Sequence, residues 1–153
     1  MQFRCFRLLL AVAVVIAAFP SPASAAQGNA CSVVTRADVG AVVAKGTVTP
    51  GRLRTYAGDP TSECQYDSDA GNVVVTFDPT NRNQFLSSYK AGFASSLQTV
   101  HGIGDEALFY QQHGTLLIRK GKSVLMLTLD TPDQARGHAI LWALAHRVVP
   151  RLH

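Results

Sequence analysis

Cys31 and Cys64 are two of the three cysteines in the chain, and the third, Cys5, lies in an N-terminal leader. Two thiols can form a redox couple, a metal site or a structural cross-link. Redox couples favour Cys-x-x-Cys, far from this spacing. A zinc site would need two more ligands, and no histidine stands at a recognised distance from either cysteine. A structural disulfide is therefore expected. It closes a loop of about 34 residues and contributes roughly 3–4 kcal/mol on chain-entropy arguments.

His101, Asp105 and Glu106 bracket the turn Gly102-Ile103-Gly104. An imidazole beside two carboxylates has the parts for general acid/base work, which would make a small hydrolase. No serine stands in a Gly-x-Ser-x-Gly setting, so no nucleophile is evident. Arg119, Lys120 and Lys122 cluster around Gly121. They form a candidate anionic contact, or else a solvated turn whose charges guard a sheet edge. Gly121-Lys122-Ser123 imitates the end of a phosphate loop, but Leu116 occupies the position of the first glycine and a strand follows instead of a helix. His138, Trp142 and His146 recur every four residues. The two histidines would lie about 12 Å apart along a helix axis, too far to share one metal ion. No metal or cofactor is called for, and no catalytic residue is assigned.

The first 25 residues read as an export signal. Arg4 and Arg7 precede the apolar run Leu8 to Phe19, and Ala23-Ser24-Ala25 offers a small-x-small cleavage site. Twelve residues of helix reach only about 18 Å, short of a ~30 Å hydrocarbon core. Processing would leave 26–153 as a single domain with no membrane span. Removing Arg4 and Arg7 from the 14 basic residues leaves 12 against 10 acids, a net charge of +2. That small excess is no case for nucleic-acid binding, which needs a concentrated basic face. The 47% apolar content likewise argues against a disordered chain.

The elements that would position these residues follow from periodicity. Thr35 to Asp38 reads as a capping box with Asp in place of the usual Glu, opening a helix over about 36–45. An edge strand around 53–56, a strand over 62–66 and a strand over 73–77 come next, the last two forming a hairpin across a turn rich in Asp and Gly. Leu86, Tyr89, Phe93, Leu97 and Val100 share one helical face, which predicts a helix over about 82–98. Strands over 106–111, 115–119 and 122–129 make a β-meander. Thr131 and Pro132 open a last helix, with Gly137, Ile140, Leu141, Leu144 and Val148 on its buried face and Arg147 and Arg151 suiting its C-terminal dipole. The fold class expected is α+β, in the order α-β(β)β-α-βββ-α, an antiparallel sheet with helices packed on one face.

Three stretches together carry a resemblance: Cys31 followed by Thr35-Arg36-Ala37-Asp38-Val39, the strand start Cys64-Gln65-Tyr66, and Gly102-Ile103-Gly104-Asp105-Glu106-Ala107 ahead of the meander with Arg119-Lys120-Gly121. In these the chain resembles a broad group of small exported bacterial proteins of unknown function, many of them lipoproteins. The resemblance implies an extracytoplasmic α+β domain with Cys31 and Cys64 bridged, and it supplies no catalytic residues. Gly28-Asn29-Ala30 before Cys31 is not a lipobox. The expectation is a periplasmic or secreted binding domain, not an enzyme, whose partner is a protein or an envelope component. An inhibitor or immunity-type protein acting on an exported enzyme is the alternative, and a small hydrolase using His101 with Asp105 or Glu106 is the third reading.

Overall fold

The computed structural model describes residues 28–43, 46–81 and 84–152. The segment expected to be an export signal lies outside the described residues, as does Lys45, expected at the end of the first helix. The elements are α1 (Ala30–Val33), α2 (Arg36–Val43), β1 (Arg52–Thr55), β2 (Ser62–Ser68), β3 (Gly71–Asp78), α3 (Phe85–Phe93), β4 (Leu97–Val100), β5 (Glu106–Tyr110), β6 (Thr115–Lys120), β7 (Ser123–Asp130) and α4 (Gln134–Val148). All seven strands join one sheet in the order β1-β2-β3-β7-β6-β5-β4, and every neighbouring pair is antiparallel. The α+β class and the antiparallel sheet are as expected.

Two meanders, β1-β2-β3 and β4-β5-β6-β7, meet where β3 pairs with β7, with Val75 opposite Leu127. β-Branched residues fill β3, whose sequence GNVVVTFD suits a strand covered on at least one side. Alternation then sorts the side chains. Val73, Val75 and Phe77 face the same way as Leu116, Ile118, Leu125 and Leu127, and they pack with Val39 of α2 and Ile140, Leu141 and Leu144 of α4.

The placement of α3 departs from the expectation that the helices share one face. Leu86 of α3 packs with Leu108, Leu117 and Val124, and Phe85, Tyr89, Leu97 and Met126 border this second, smaller cluster. Those strand residues alternate with the members of the larger cluster, so α3 covers the opposite face. The cause lies in the strands: Leu116-Leu117-Ile118 and Leu125-Met126-Leu127 are apolar at consecutive positions. Strands apolar on both faces need a cover on both.

The helix expected over 82–98 is shorter than its periodicity. It runs as α3 to Phe93, tightens into a 3₁₀ turn over Ala94–Ser96 and continues as β4. Leu97 and Val100 continue the helical spacing, but they pair with Tyr110 and Ala107 along the edge of β5. Cross-strand pairing here outweighs a weak local preference. The start of α4 also shifts. Asp133 is its N-cap and accepts from the Arg136 N–H at 3.0 Å, which puts Pro132 outside the helix.

The N-terminal segment is fastened to β2. Cys31 and Cys64 are disulfide-bonded with their Cα atoms 5.1 Å apart. The buried Tyr66 hydroxyl donates to the Val34 carbonyl, and the Ala30 N–H donates to Ser62 Oγ at 2.8 Å. The Thr35–Asp38 capping box forms as read: Thr35 N–H donates to Asp38 Oδ2 at 3.0 Å, and Asp38 N–H donates to Thr35 Oγ1 at 3.2 Å. Arg147 and Arg151 do more than complement a dipole, since both donate to the Asp38 carboxylate, at 2.9 and 2.8 Å.

Candidate functional site

The clusters singled out from the sequence are brought together, but largely with one another. Pairing of β5 with β6 places Glu106 opposite Arg119. Arg119 Nε donates to Glu106 Oε2 at 3.4 Å, and Lys90 of α3 reaches the other Glu106 oxygen. Asp105 accepts from the Gly121 N–H at 2.7 Å and from Lys120 Nζ at 3.2 Å. The Gly121 N–H and then Lys120 hold the Asp105 carboxyl below its ordinary range, and the Lys90 hydrogen bond does the same for Glu106. The acid pair and the basic turn therefore neutralise each other. His101 is exposed and bonds neither acid among the described residues. Lys122 is exposed and has no ion-pair partner among the described residues. Gly104 lets the loop approach this closely: its φ is +63°, and a Cβ there would lie 2.5 Å from the Arg119 carbonyl oxygen.

His138 and Trp142 meet edge-on against Phe109, with ring centroids 4.6 and 4.8 Å away, so they extend the core. His146 is exposed. Among the described residues no three His, Cys, Asp or Glu side chains converge as metal ligands would. Cys31 and Cys64 serve as the cross-link already described.

The feature that the sequence reading missed lies where α3 ends above the sheet. β5 delivers Tyr110 to its last position, the chain makes a 3₁₀ turn over Gln111–His113, and Gly114 at φ +52° returns it into β6. α3 contributes Tyr89 and Phe93, one turn apart and both directed at Tyr110. Phe93 stacks on Tyr110 at 4.8 Å with planes 30° apart, while remaining 41% exposed. Tyr89 is tilted against Phe93 at 5.4 Å, and His113 lies 5.0 Å from Tyr110 on another side. Offset and tilted contacts of this kind suit the ring quadrupoles and hold each ring in place. Burial, and then the neighbouring Tyr110, push the Tyr89 hydroxyl pKa upward, so it stays protonated near neutral pH.

This aromatic platform forms the floor of an open cleft of about 560 Å³, whose far wall is the end of β7 and the start of α4. A second hollow of about 540 Å³ adjoins it along the 3₁₀ turn after α3 and the start of β4. Gln112 and Gln134 line both, which makes them one groove. The groove's polar groups are mostly uncharged amides and hydroxyls. Tyr110 donates to Gln112 Oε1 at 3.1 Å, Gln98 Nε2 donates to Gln111 Oε1 at 3.2 Å, and the Thr115 and Thr128 hydroxyls share a hydrogen bond of 3.1 Å. Among the described residues no lysine or arginine lines it, and Asp130 is the one carboxylate.

Little in the sequence marks this site. Tyr89 and Phe93 read as part of a helix's apolar face, and Gln112-His113-Gly114 reads as a turn. The available signal was a Gln-Gln-His turn directly following an aromatic strand end. No protein-family model matches this chain, and no curated protein or solved structure matches it either.

Proposed function

We propose that this chain is an exported, disulfide-stapled binding domain that holds its ligand in the groove between α3, the β5–β6 turn and the start of α4, without transforming it. The observation that carries this reading is the composition of the groove: an exposed Phe93 stacked on the buried Tyr110, rimmed by glutamine amides and threonine hydroxyls. Concave sites of a few hundred Å³ that combine an apolar floor with a few polar groups are the usual form of small-molecule sites. The Cys31–Cys64 cross-link supports export, because such bonds persist in oxidising compartments. Among the described residues no helix is long and apolar enough to cross a membrane. A hydrolase built on His101 would first have to draw Asp105 or Glu106 away from Lys120, Arg119 and Lys90.

The test is amide chemical-shift mapping on the oxidised chain from Ala26 onward. The probes are maltotetraose, chitotetraose, tetragalacturonate, a Leu/Phe-rich hexapeptide and an acidic hexapeptide, each at millimolar concentration. Binding by any of them is expected to move the Gln112, His113 and Gln134 resonances together. If none moves them, the groove is not a binding site and this reading falls.

A further inference from the structure

Resting on that reading, we propose that the ligand is a neutral oligosaccharide, stacked on Phe93 and hydrogen-bonded by the glutamines of the groove. A pyranose ring presents a face of C–H groups bearing partial positive charge, which complements the negative face of an aromatic ring. Phe93 is such a ring, 41% exposed, and its contacts with Tyr89 and Tyr110 hold its plane. A platform ordered before binding loses little freedom on binding, which favours weakly held polar ligands.

The polar lining matches hydroxyl groups better than it matches ions. Each sugar hydroxyl is both donor and acceptor, and each glutamine amide offers two donors and two acceptor lone pairs. The Gln98–Gln111 bond uses one donor and one lone pair, leaving the rest of both amides for a ligand. Phosphates and carboxylates want guanidinium or ammonium partners. Among the described residues the groove supplies neither, and Asp130 would repel an anion. An apolar peptide could answer Gln98, Gln111, Gln112 and Gln134 only through its backbone N–H and C=O groups, and each amide covered by an apolar side chain instead would lose its hydrogen bonds at a cost. The two hollows sharing Gln112 and Gln134 give room for more than one ring along the groove.

The same lining implies binding without cleavage. Glycoside hydrolysis ordinarily uses two carboxyl groups, about 5–10 Å apart, flanking the scissile bond. Among the described residues the groove carries Asp130 alone.

Calorimetric titration of the oxidised chain with maltotetraose and with chitotetraose tests the proposal, beside tetragalacturonate and the Leu/Phe-rich hexapeptide. At least one neutral sugar is expected to bind, with tetragalacturonate weaker. Phe93→Ala should weaken the sugar roughly tenfold or more, about 1.4 kcal/mol. Gln134 is exposed, which makes Gln134→Ala a second variant that leaves the core intact, and it should weaken binding as well. The sugar should be recovered unshortened after prolonged incubation. If a peptide or tetragalacturonate moves the groove resonances and neither neutral sugar does, the ligand class is wrong while the binding reading stands. If no probe moves them, both fall. Sugar binding that both variants leave unchanged overturns the groove assignment, and a shortened sugar overturns the non-cleaving role.

Discussion

The carboxylate of Asp38 receives hydrogen bonds from Thr35, Arg147 and Arg151 while its side chain is 5% exposed. Burial pushes this carboxyl's pKa up, but the bonds from Arg151, Thr35 and Arg147 outweigh burial and hold it well below the usual carboxylate range. The folded chain therefore releases this proton more readily than the unfolded chain, whose Asp titrates near 3.9. The stabilisation is complete above about pH 5 and is lost as pH falls toward the depressed folded value. Because Arg147 and Arg151 are each about half exposed and can rehydrate, Asp38→Asn should cost only about 1–2 kcal/mol at neutral pH. Denaturant melts of both proteins from pH 7 down to pH 2 check this. The gap between them should begin to narrow below about pH 4 and go on narrowing toward about pH 2, and a gap independent of pH would mean that charge is not what Asp38 supplies. The sequence shows Asp38 as half of a capping box. Its partners lie more than a hundred positions away, so only the docking of α4 on α2 reveals them.

At the scale of elements, α1 is the one that local preference cannot explain. Four residues are far fewer than an isolated helix needs to persist in water. Its order comes from β2, through the Cys31–Cys64 bond, the Tyr66 hydroxyl on Val34 and the Ser62 hydroxyl on the Ala30 N–H. The double variant Cys31→Ala/Cys64→Ala is expected to lose about 3 kcal/mol or more in urea unfolding, since the fully buried Cys64 adds a cavity to the lost cross-link. A loss under about 1 kcal/mol would show that the two hydrogen bonds suffice to hold α1. The meander β5-β6-β7 was legible because alternation and tight turns are local signals. Its β5–β6 hairpin also carries the pairing of Glu106 with Arg119, so the mutual neutralisation of acids and bases follows from register. The boundary between α3 and β4 was not legible, because Leu97 and Val100 satisfy a helical period and an edge-strand pairing equally well. The groove was hidden for a related reason: α3, its following turn, β4, the β5–β6 turn and α4 each contribute a few residues, and no single stretch of sequence reads as a site.

For the molecule as a whole, the sheet carries two apolar layers of unequal size, and their inequality bears on function. Among the described residues the cluster under α1, α2 and α4 contains twenty-six buried residues, whereas the cluster under α3 contains Leu86, Leu108, Leu117 and Val124. α3 also begins at Gln84, in a left-handed conformation and without a side-chain cap. A helix held by so few buried contacts should open at a lower free energy than the sheet it covers, as a partial unfolding that leaves β3–β7 intact. Native-state hydrogen exchange is expected to show the α3 amides exchanging well before those of α4, with little dependence on global stability. Equal protection of α3 and α4 would mean that the two layers unfold as one unit. α3 brings Tyr89 and Phe93 to the groove, so opening it dismantles the stacking platform. A ligand that binds only the closed form must stabilise α3 by mass action. A bound neutral tetrasaccharide should therefore slow exchange across α3 by a factor of one plus the ratio of free sugar to Kd, as it slows every opening that releases it; α3 exchange left unchanged at saturating sugar would place the ligand's contacts away from α3.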